Sequence, residues 1–228
     1  MEITRTHIPF YGIFIVLGIL LGFIYIYKSL LKDGYKDKNI RLYILLYIAF
    51  SFVFGKIFTL ITDNNTKSFL TAGLSSYGGL IGVILGAFIF EQILNTDKKI
   101  IKYSIISLPL VYGVSKIGCF MAGCCYGIPY NGFLSVIYPE GLNISLFPVQ
   151  LLESITFILL FIILNKYKNS KNIIYITIIL SAILKFILDF LRYEHITKTI
   201  TTNQIVSIII ILITILILPV SRKLTKTQ

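Results

Sequence analysis

Six ionisable residues stand inside apolar runs of this 228-residue chain: Lys56, Lys116, Glu153, Lys185, Asp189 and Arg192. Charge placed at membrane depth is costly, so such residues mark function by default. Four cations against two carboxylates form a set suited to an anion, and a phospholipid headgroup phosphate is the abundant one at that depth. Arginine grips phosphate through a planar fork and lysine as a point charge. Lys185, Asp189 and Arg192 follow at spacings of four and three, which predicts one shared helix face, with Asp189 able to pair with either neighbour. The competing reading is structural: ion pairs between helices, or side chains snorkelling to the interface.

Three further segments carry chemical character. Ser76 to Gly82 (Ser-Tyr-Gly-Gly-Leu-Ile-Gly) opens an apolar run with paired glycines, Gly78 and Gly79, which admit a ligand close to the backbone. Gly78, Gly82 and Gly86, spaced by four, equally suit plain helix packing. Lys116 to Gly127 holds Cys119, Cys124 and Cys125. Adjacent cysteines are not a Cys-x-x-Cys redox pair, and no second metal half-site exists, so no metal is expected. The reading preferred here is three small thiols packing a tight turn, with a disulfide from Cys119 to either neighbour left open. Pro148 to Glu153 begins another run, where Pro148 signals a helix start and Gln150 and Glu153 point the same way. His7 and His195 fall in no His-Glu-x-x-His motif and Ser75-Ser76 in no Gly-x-Ser-x-Gly, which argues against zinc and serine proteases.

These residues need helices to hold them. The chain is 56% hydrophobic with a mean hydropathy of +0.86, too apolar for an ordinary soluble domain. About 20 apolar residues cross a bilayer, and seven stretches qualify or nearly so: 10–27, 41–62, 72–94, 103–123, 148–165, 173–191 and 204–220. The first, followed directly by Lys28 and Lys32, reads as a retained span rather than a signal peptide. The net charge of +11 lies in alternate connections: Lys28, Lys32, Lys36, Lys38 and Arg41; Lys98, Lys99 and Lys102; Lys166, Lys168 and Lys171; and Arg222, Lys223 and Lys226. The other side has Arg5, Lys67, Lys198 and little more. This bias predicts an all-α polytopic membrane protein with the N-terminus outside and the C-terminus cytoplasmic. It excludes a nucleic-acid stripe. One transmembrane domain over 1–228 is expected, with a turn-rich outer loop at about 124–147 containing Gly127, Pro129, Asn131, Gly132, Pro139 and Gly141.

Taken in order, the segments resemble the bacterial prolipoprotein diacylglyceryl transferases across essentially the whole chain. The matching motifs are a Gly-Arg pair (here Gly55-Lys56), a His-Gly-Gly-Leu-Ile-Gly segment (Tyr77 to Gly82), a Gly-Arg-Ile-Gly-Asn/Cys-Phe signature (Ser115 to Gly127), a Pro-x-Gln-Leu-x-Glu (Pro148 to Glu153), an Arg-Phe-x-x-Glu-x-x-Arg helix (Lys185 to Arg192) and a Ser/Asn-Gln pair (Asn203-Gln204). Tyr77 replaces the family histidine, lysines replace arginines at Lys56, Lys116 and Lys185, and Asp189 replaces glutamate.

The resemblance implies a multi-pass enzyme of the bacterial plasma membrane. It would move a diacylglyceryl group from phosphatidylglycerol to the lipobox cysteine of a preprolipoprotein. Catalytic roles are implied for Tyr77, Lys116, Glu153, Asp189 and Arg192, with Glu153 or Asp189 accepting the thiol proton and Tyr77 relaying hydrogen bonds. Substrate-binding roles are implied for Lys56, Gly78, Gly79, Cys119, Gln150 and Lys185. No metal or cofactor is required. Alternatives are a same-fold enzyme acting on another thiol or peptide acceptor, a non-catalytic lipid- or lipoprotein-binding protein, and a membrane thiol oxidoreductase.

Overall fold

The computed structural model describes residues 10–62, 68–73, 75–94, 99–138 and 142–224. Arg5, His7, Lys67, Lys98, Pro139, Gly141 and Lys226 lie outside that set, as do the side chains of Tyr77, Arg222 and Lys223. Among the described residues seven α-helices follow one another: α1 (Phe10–Lys32), α2 (Asp37–Thr62), α3 (Ser76–Leu94), α4 (Lys99–Met121), α5 (Val149–Lys166), α6 (Ile173–Asp189) and α7 (Thr202–Leu224). Each expected apolar stretch coincides with one of them. By length and composition α1, α2, α4 and α5 suffice to cross a membrane, and α3 and α7 contain shorter apolar helices, Gly78–Ile93 and Thr202–Ile217. Large aliphatic side chains such as Val16, Leu20, Ile155, Leu159, Leu212 and Leu216 face outward. Lipid tolerates such a surface and water does not, so this is a helical membrane protein.

The chain divides into two compact units, 22–107 and the combination of 1–21 with 108–228. In the first, α2 and α3 pack through a glycine seam. A Cβ on Gly78 would collide with the Phe54 carbonyl oxygen, and one on Gly82 with that of Phe50. The spacing of four therefore serves close helix packing. Gly82→Val forces backbone apart rather than a flexible side chain, and we expect it to abolish recovery of folded protein from detergent-solubilised membranes, scored by monodisperse elution. Deeper in this unit the Tyr43 hydroxyl meets Ser104 Oγ at 2.5 Å. The buried Glu91 carboxylate accepts from the Ile101 amide at 3.0 Å, which places an anion at the amino end of α4.

The second unit contains the later part of α4, α5 to α7 and the loop between α4 and α5. The loop is ordered by a short antiparallel ribbon, β1 (Val136–Ile137) against β2 (Ser145–Leu146), with Val136 opposite Leu146. Val136, Tyr138 and Leu146 bury with Phe120 of α4, and the Tyr138 hydroxyl donates to the Phe120 carbonyl at 3.0 Å. In α5 the residues Gln150, Glu153, Ser154, Phe157, Leu160 and Leu164 are buried, one inward stripe at helical spacing that begins polar and ends apolar.

Candidate active site

Glu153 is the centre of the second unit's polar interior. It stands one turn into α5, just beyond Pro148, and is 1% exposed. Lys116 Nζ of α4 reaches its Oε2 at 2.8 Å. Arg192 Nη2 donates to both carboxylate oxygens, at 2.9 and 3.2 Å, and the Tyr112 hydroxyl donates to Oε1 at 3.3 Å. The amines of Lys116 and Lys185 each lie 5.0 Å from the centre of the Tyr112 ring, a cation–π arrangement. Tyr112 is four residues before Lys116 on α4, so both side chains leave the same helix face.

Asp189, also 1% exposed, ends α6. Its carboxylate accepts hydrogen bonds from the Thr201 hydroxyl and from Asn203 Nδ2, the latter at 3.1 Å. Arg192 Nε and His195 Nε2 each lie 3.5 Å from it. Thr201 and Gln204 fix this end of α7 by a capping box: the Gln204 amide donates to Thr201 Oγ1 at 3.3 Å, and the Thr201 amide donates to Gln204 Oε1 at 3.2 Å. The Thr-x-x-Gln pattern thus holds the hydroxyl that binds Asp189.

One expectation needs correcting. Helix α6 stops at Asp189, and Arg192 is extended at φ −86°, ψ 148°, so it shares no helix face with Lys185. Non-local pairing explains this. The Ile128 amide donates to the Leu191 carbonyl at 3.0 Å and the Tyr193 amide to the Tyr126 carbonyl at 3.1 Å, bridging Gly127 to Arg192. A Cβ at Gly127 would collide with the Phe147 carbonyl oxygen. The bridge draws residues 191–193 out of the helix and still delivers the guanidinium between Glu153 and Asp189.

Of the residues singled out from sequence, Lys116, Glu153, Lys185, Asp189 and Arg192 gather in this one unit; each of the other four exerts a charge interaction on Lys185. Gln150, fully buried, donates from Nε2 to the Cys124 carbonyl at 2.8 Å, fastening the cysteine turn to α5. Lys56, Tyr77, Gly78 and Gly79 belong to the other unit. There Lys56 donates from Nζ to the carbonyls of Phe69, Leu70 and Ala72 at 2.9 to 3.1 Å, so its three donors hold the turn before α3. Gly78 faces the backbone of α2. Tyr112, His195 and Thr201 were given no role from sequence, and Asn203 entered only through the Asn203-Gln204 pair. An aromatic within an apolar run and a histidine in a loop carry no local signal, although the Thr-x-x-Gln pattern was readable.

The cysteine turn follows from how α4 ends. Gly123 adopts φ +62°, its amide donates to the Phe120 carbonyl, and the Cys124 amide donates to the Cys119 carbonyl at 3.1 Å. That is a Schellman closure, which brings the side chains of Cys119 and Cys124 together. The three cysteines are free thiols. Hydrogen bonds from the Cys119 and Cys124 thiols hold the Cys125 thiol well below its usual range, and the charges of Lys116 and Arg192 add to this. A lowered pKa keeps the thiolate as pH falls. Alkylation of Cys125 by iodoacetamide should therefore slow less between pH 8 and pH 6 than that of an ordinary thiol, which slows about tenfold per unit, as peptide mass spectrometry would register.

Three cations and two carboxylates leave this interior one net positive charge, at the base of a loop and among helices clothed in aliphatic side chains. The molecule is thus a helical membrane protein with a buried, net cationic site. The chain belongs to the prolipoprotein diacylglyceryl transferase family, whose sequence model matches residues 1–220. It is 30% identical over 230 residues to the phosphatidylglycerol–prolipoprotein diacylglyceryl transferase of Clostridium tetani, covering 93% of this chain and 92% of that one. It is 27% identical to transferase 2 of that name from Clostridium perfringens, covering 92% and 90%. With the Staphylococcus aureus transferase it shares 29% identity, covering 91% and 83%.

Proposed function

We propose that this protein transfers the diacylglyceryl group of phosphatidylglycerol to the lipobox cysteine of a preprolipoprotein. Coverage of the named transferases over nearly their whole length supports the reading, and the observation that carries it is the cluster of buried Lys116 and Arg192 and half-buried Lys185 around the buried carboxylates of Glu153 and Asp189. In this reaction a sulfur–carbon bond forms at the glycerol carbon that bears the phosphate ester. The carbon–oxygen bond breaks, its electron pair leaves with glycerol phosphate, and the thiol proton passes to a base. The cations hold the phosphate and meet the charge that develops on its oxygens.

Glu153 and Asp189 are already engaged by Tyr112, Lys116 and Arg192 and by Thr201 and Asn203 respectively. We therefore assign the proton to His195, whose Nε2 faces Asp189 at 3.5 Å, so that Nδ1 is the nitrogen left to accept it. Asp189 would orient the imidazole and stabilise its charged form, as a carboxylate does for a catalytic histidine. On this assignment His195→Ala slows turnover by about 10²-fold or more, with the binding of phosphatidylglycerol unchanged. An unaltered rate would return the role to a carboxylate or to Tyr77.

The proposed orientation has seven spans in the bacterial plasma membrane, the N-terminus outside and the C-terminus cytoplasmic. The alternation of lysine and arginine between connections supports it, and labelling of Cys125 by an impermeant maleimide on intact cells tests it. The function itself is tested by complementation. The gene should restore lipoprotein maturation to a bacterium depleted of its own transferase, and failure with the protein present in the membrane would favour another acceptor.

A further inference from the structure

We propose that Cys119, Cys124 and Cys125 form a three-thiolate site for zinc, independent of the transferase reading. Their sulfur atoms all lie within 4.8 Å of one another. Three thiolates bound to one zinc at about 2.3 Å stand roughly 4 Å apart, so the triangle closes on an ion by sub-ångström movements. The three remain separate thiols, so no pair is joined in a way that would take two of the ligands away.

The backbone is built to make that triangle. The Schellman closure at Gly123 sets Cys124 over Cys119, and Cys124 Sγ lies 3.6 Å from the Cys119 carbonyl oxygen. Cys125 then adopts φ +55°, the left-handed region, which costs a residue with a Cβ on the order of 1–3 kcal/mol. A turn that only had to pack would place glycine or asparagine there. The strained residue is the one that brings in the third sulfur. The turn is also anchored, by Gln150 on the Cys124 carbonyl at 2.8 Å and by the Tyr193 amide on the Tyr126 carbonyl at 3.1 Å.

The donor set selects the ion. Thiolates favour soft or borderline cations over magnesium or calcium. Cys119 is buried, Cys124 half-buried and Cys125 exposed, so the fourth zinc position opens outward to water. On binding, the protons still held by the thiols pass to solvent, zinc gives up bound waters for three Zn–S bonds, and it stays divalent with no electron transferred. The resulting single negative charge lies one helical turn from Lys116, three residues before Cys119 on α4.

The test uses the full-length protein, reduced and in detergent, with zinc and cadmium salts as probes. One equivalent of Zn(II) should shield all three cysteines from maleimide, as read by intact mass. One equivalent of Cd(II) should give a thiolate-to-cadmium charge-transfer band that saturates at one ion per chain. Cys125→Ser and Cys124→Ser, checked for monodisperse elution, should each weaken Cd(II) binding by more than about 100-fold, beyond the loss typical of altering an outer-sphere partner. Unshielded cysteines, or a band absent at one equivalent, would overturn the site in the unmodified protein without recourse to a variant. Cadmium binding unchanged in Cys125→Ser would do the same.

Discussion

Arg192→Ala is expected to slow diacylglyceryl transfer by about 10²–10³-fold, the range for loss of one preorganised donor to developing charge. The effect should fall mainly on turnover. Lys116 and Lys185 remain to attract the headgroup, but the planar donor set is gone. Stability should change little, because Glu153 keeps Lys116 Nζ at 2.8 Å and the Tyr112 hydroxyl at 3.3 Å, so no buried carboxylate is left without a partner. Arg192→Lys should recover only a small part of the rate. A single ammonium nitrogen can replace Nη2 on the Glu153 oxygens, at 2.9 and 3.2 Å, but it has no second nitrogen to hold towards Asp189, where Nε stands at 3.5 Å. Near-native turnover in Arg192→Ala would remove the phosphate assignment.

Glu153→Ala has the largest predicted effect on the folded state. Lys116 and Arg192 are each 8% exposed at the side chain, and Glu153 is the carboxylate that Lys116 pairs with. Deleting it leaves two buried cations facing each other across an empty space. Removal of one partner from a buried pair costs about 3–5 kcal/mol, a large share of the stability of any domain. Thermal unfolding in detergent should show a marked fall in midpoint, with activity lost as well. Glu153→Gln preserves volume and one acceptor oxygen, so it should keep more of the packing yet still lack the countercharge. Adding Lys116→Met to Glu153→Gln should then restore stability in part, since it withdraws one of the stranded cations. A Glu153→Ala protein as stable as the parent would show that the carboxylate does not hold the cluster together.

Much of this molecule was readable from residue types. Apolar runs gave helices whose ends differ by only a few residues from the expected stretches, because a bilayer imposes one length and one composition on every crossing. The five charged members of the cluster in the second unit were readable too, since a buried charge stands out against an aliphatic background. The rest depends on pairings that no local pattern encodes. Arg192 leaves the helix because Leu191 and Tyr193 pair with Ile128 and Tyr126, more than sixty residues earlier in the sequence. Lys56 looked like a member of the phosphate cluster, yet it spends its donors on three carbonyls of its own turn. Gly78 and Gly82 fitted a ligand site and helix packing equally well on spacing, and only the approach of the α2 backbone separates the two. The cysteines have no Cys-x-x-Cys spacing, yet a helix end with a left-handed cysteine brings their sulfurs within 4.8 Å of one another.

The central claim is that this buried cluster catalyses transfer from a phospholipid to a thiol. Its most direct test joins purified protein, phosphatidylglycerol vesicles and a synthetic peptide bearing a lipobox cysteine. The account predicts that the peptide gains the mass of one diacylglyceryl group at its cysteine, that glycerol phosphate appears in equal amount, and that Arg192→Ala lowers both together. A peptide of unchanged mass in the presence of folded wild-type protein, or gain of mass at full rate with Arg192→Ala, would contradict it.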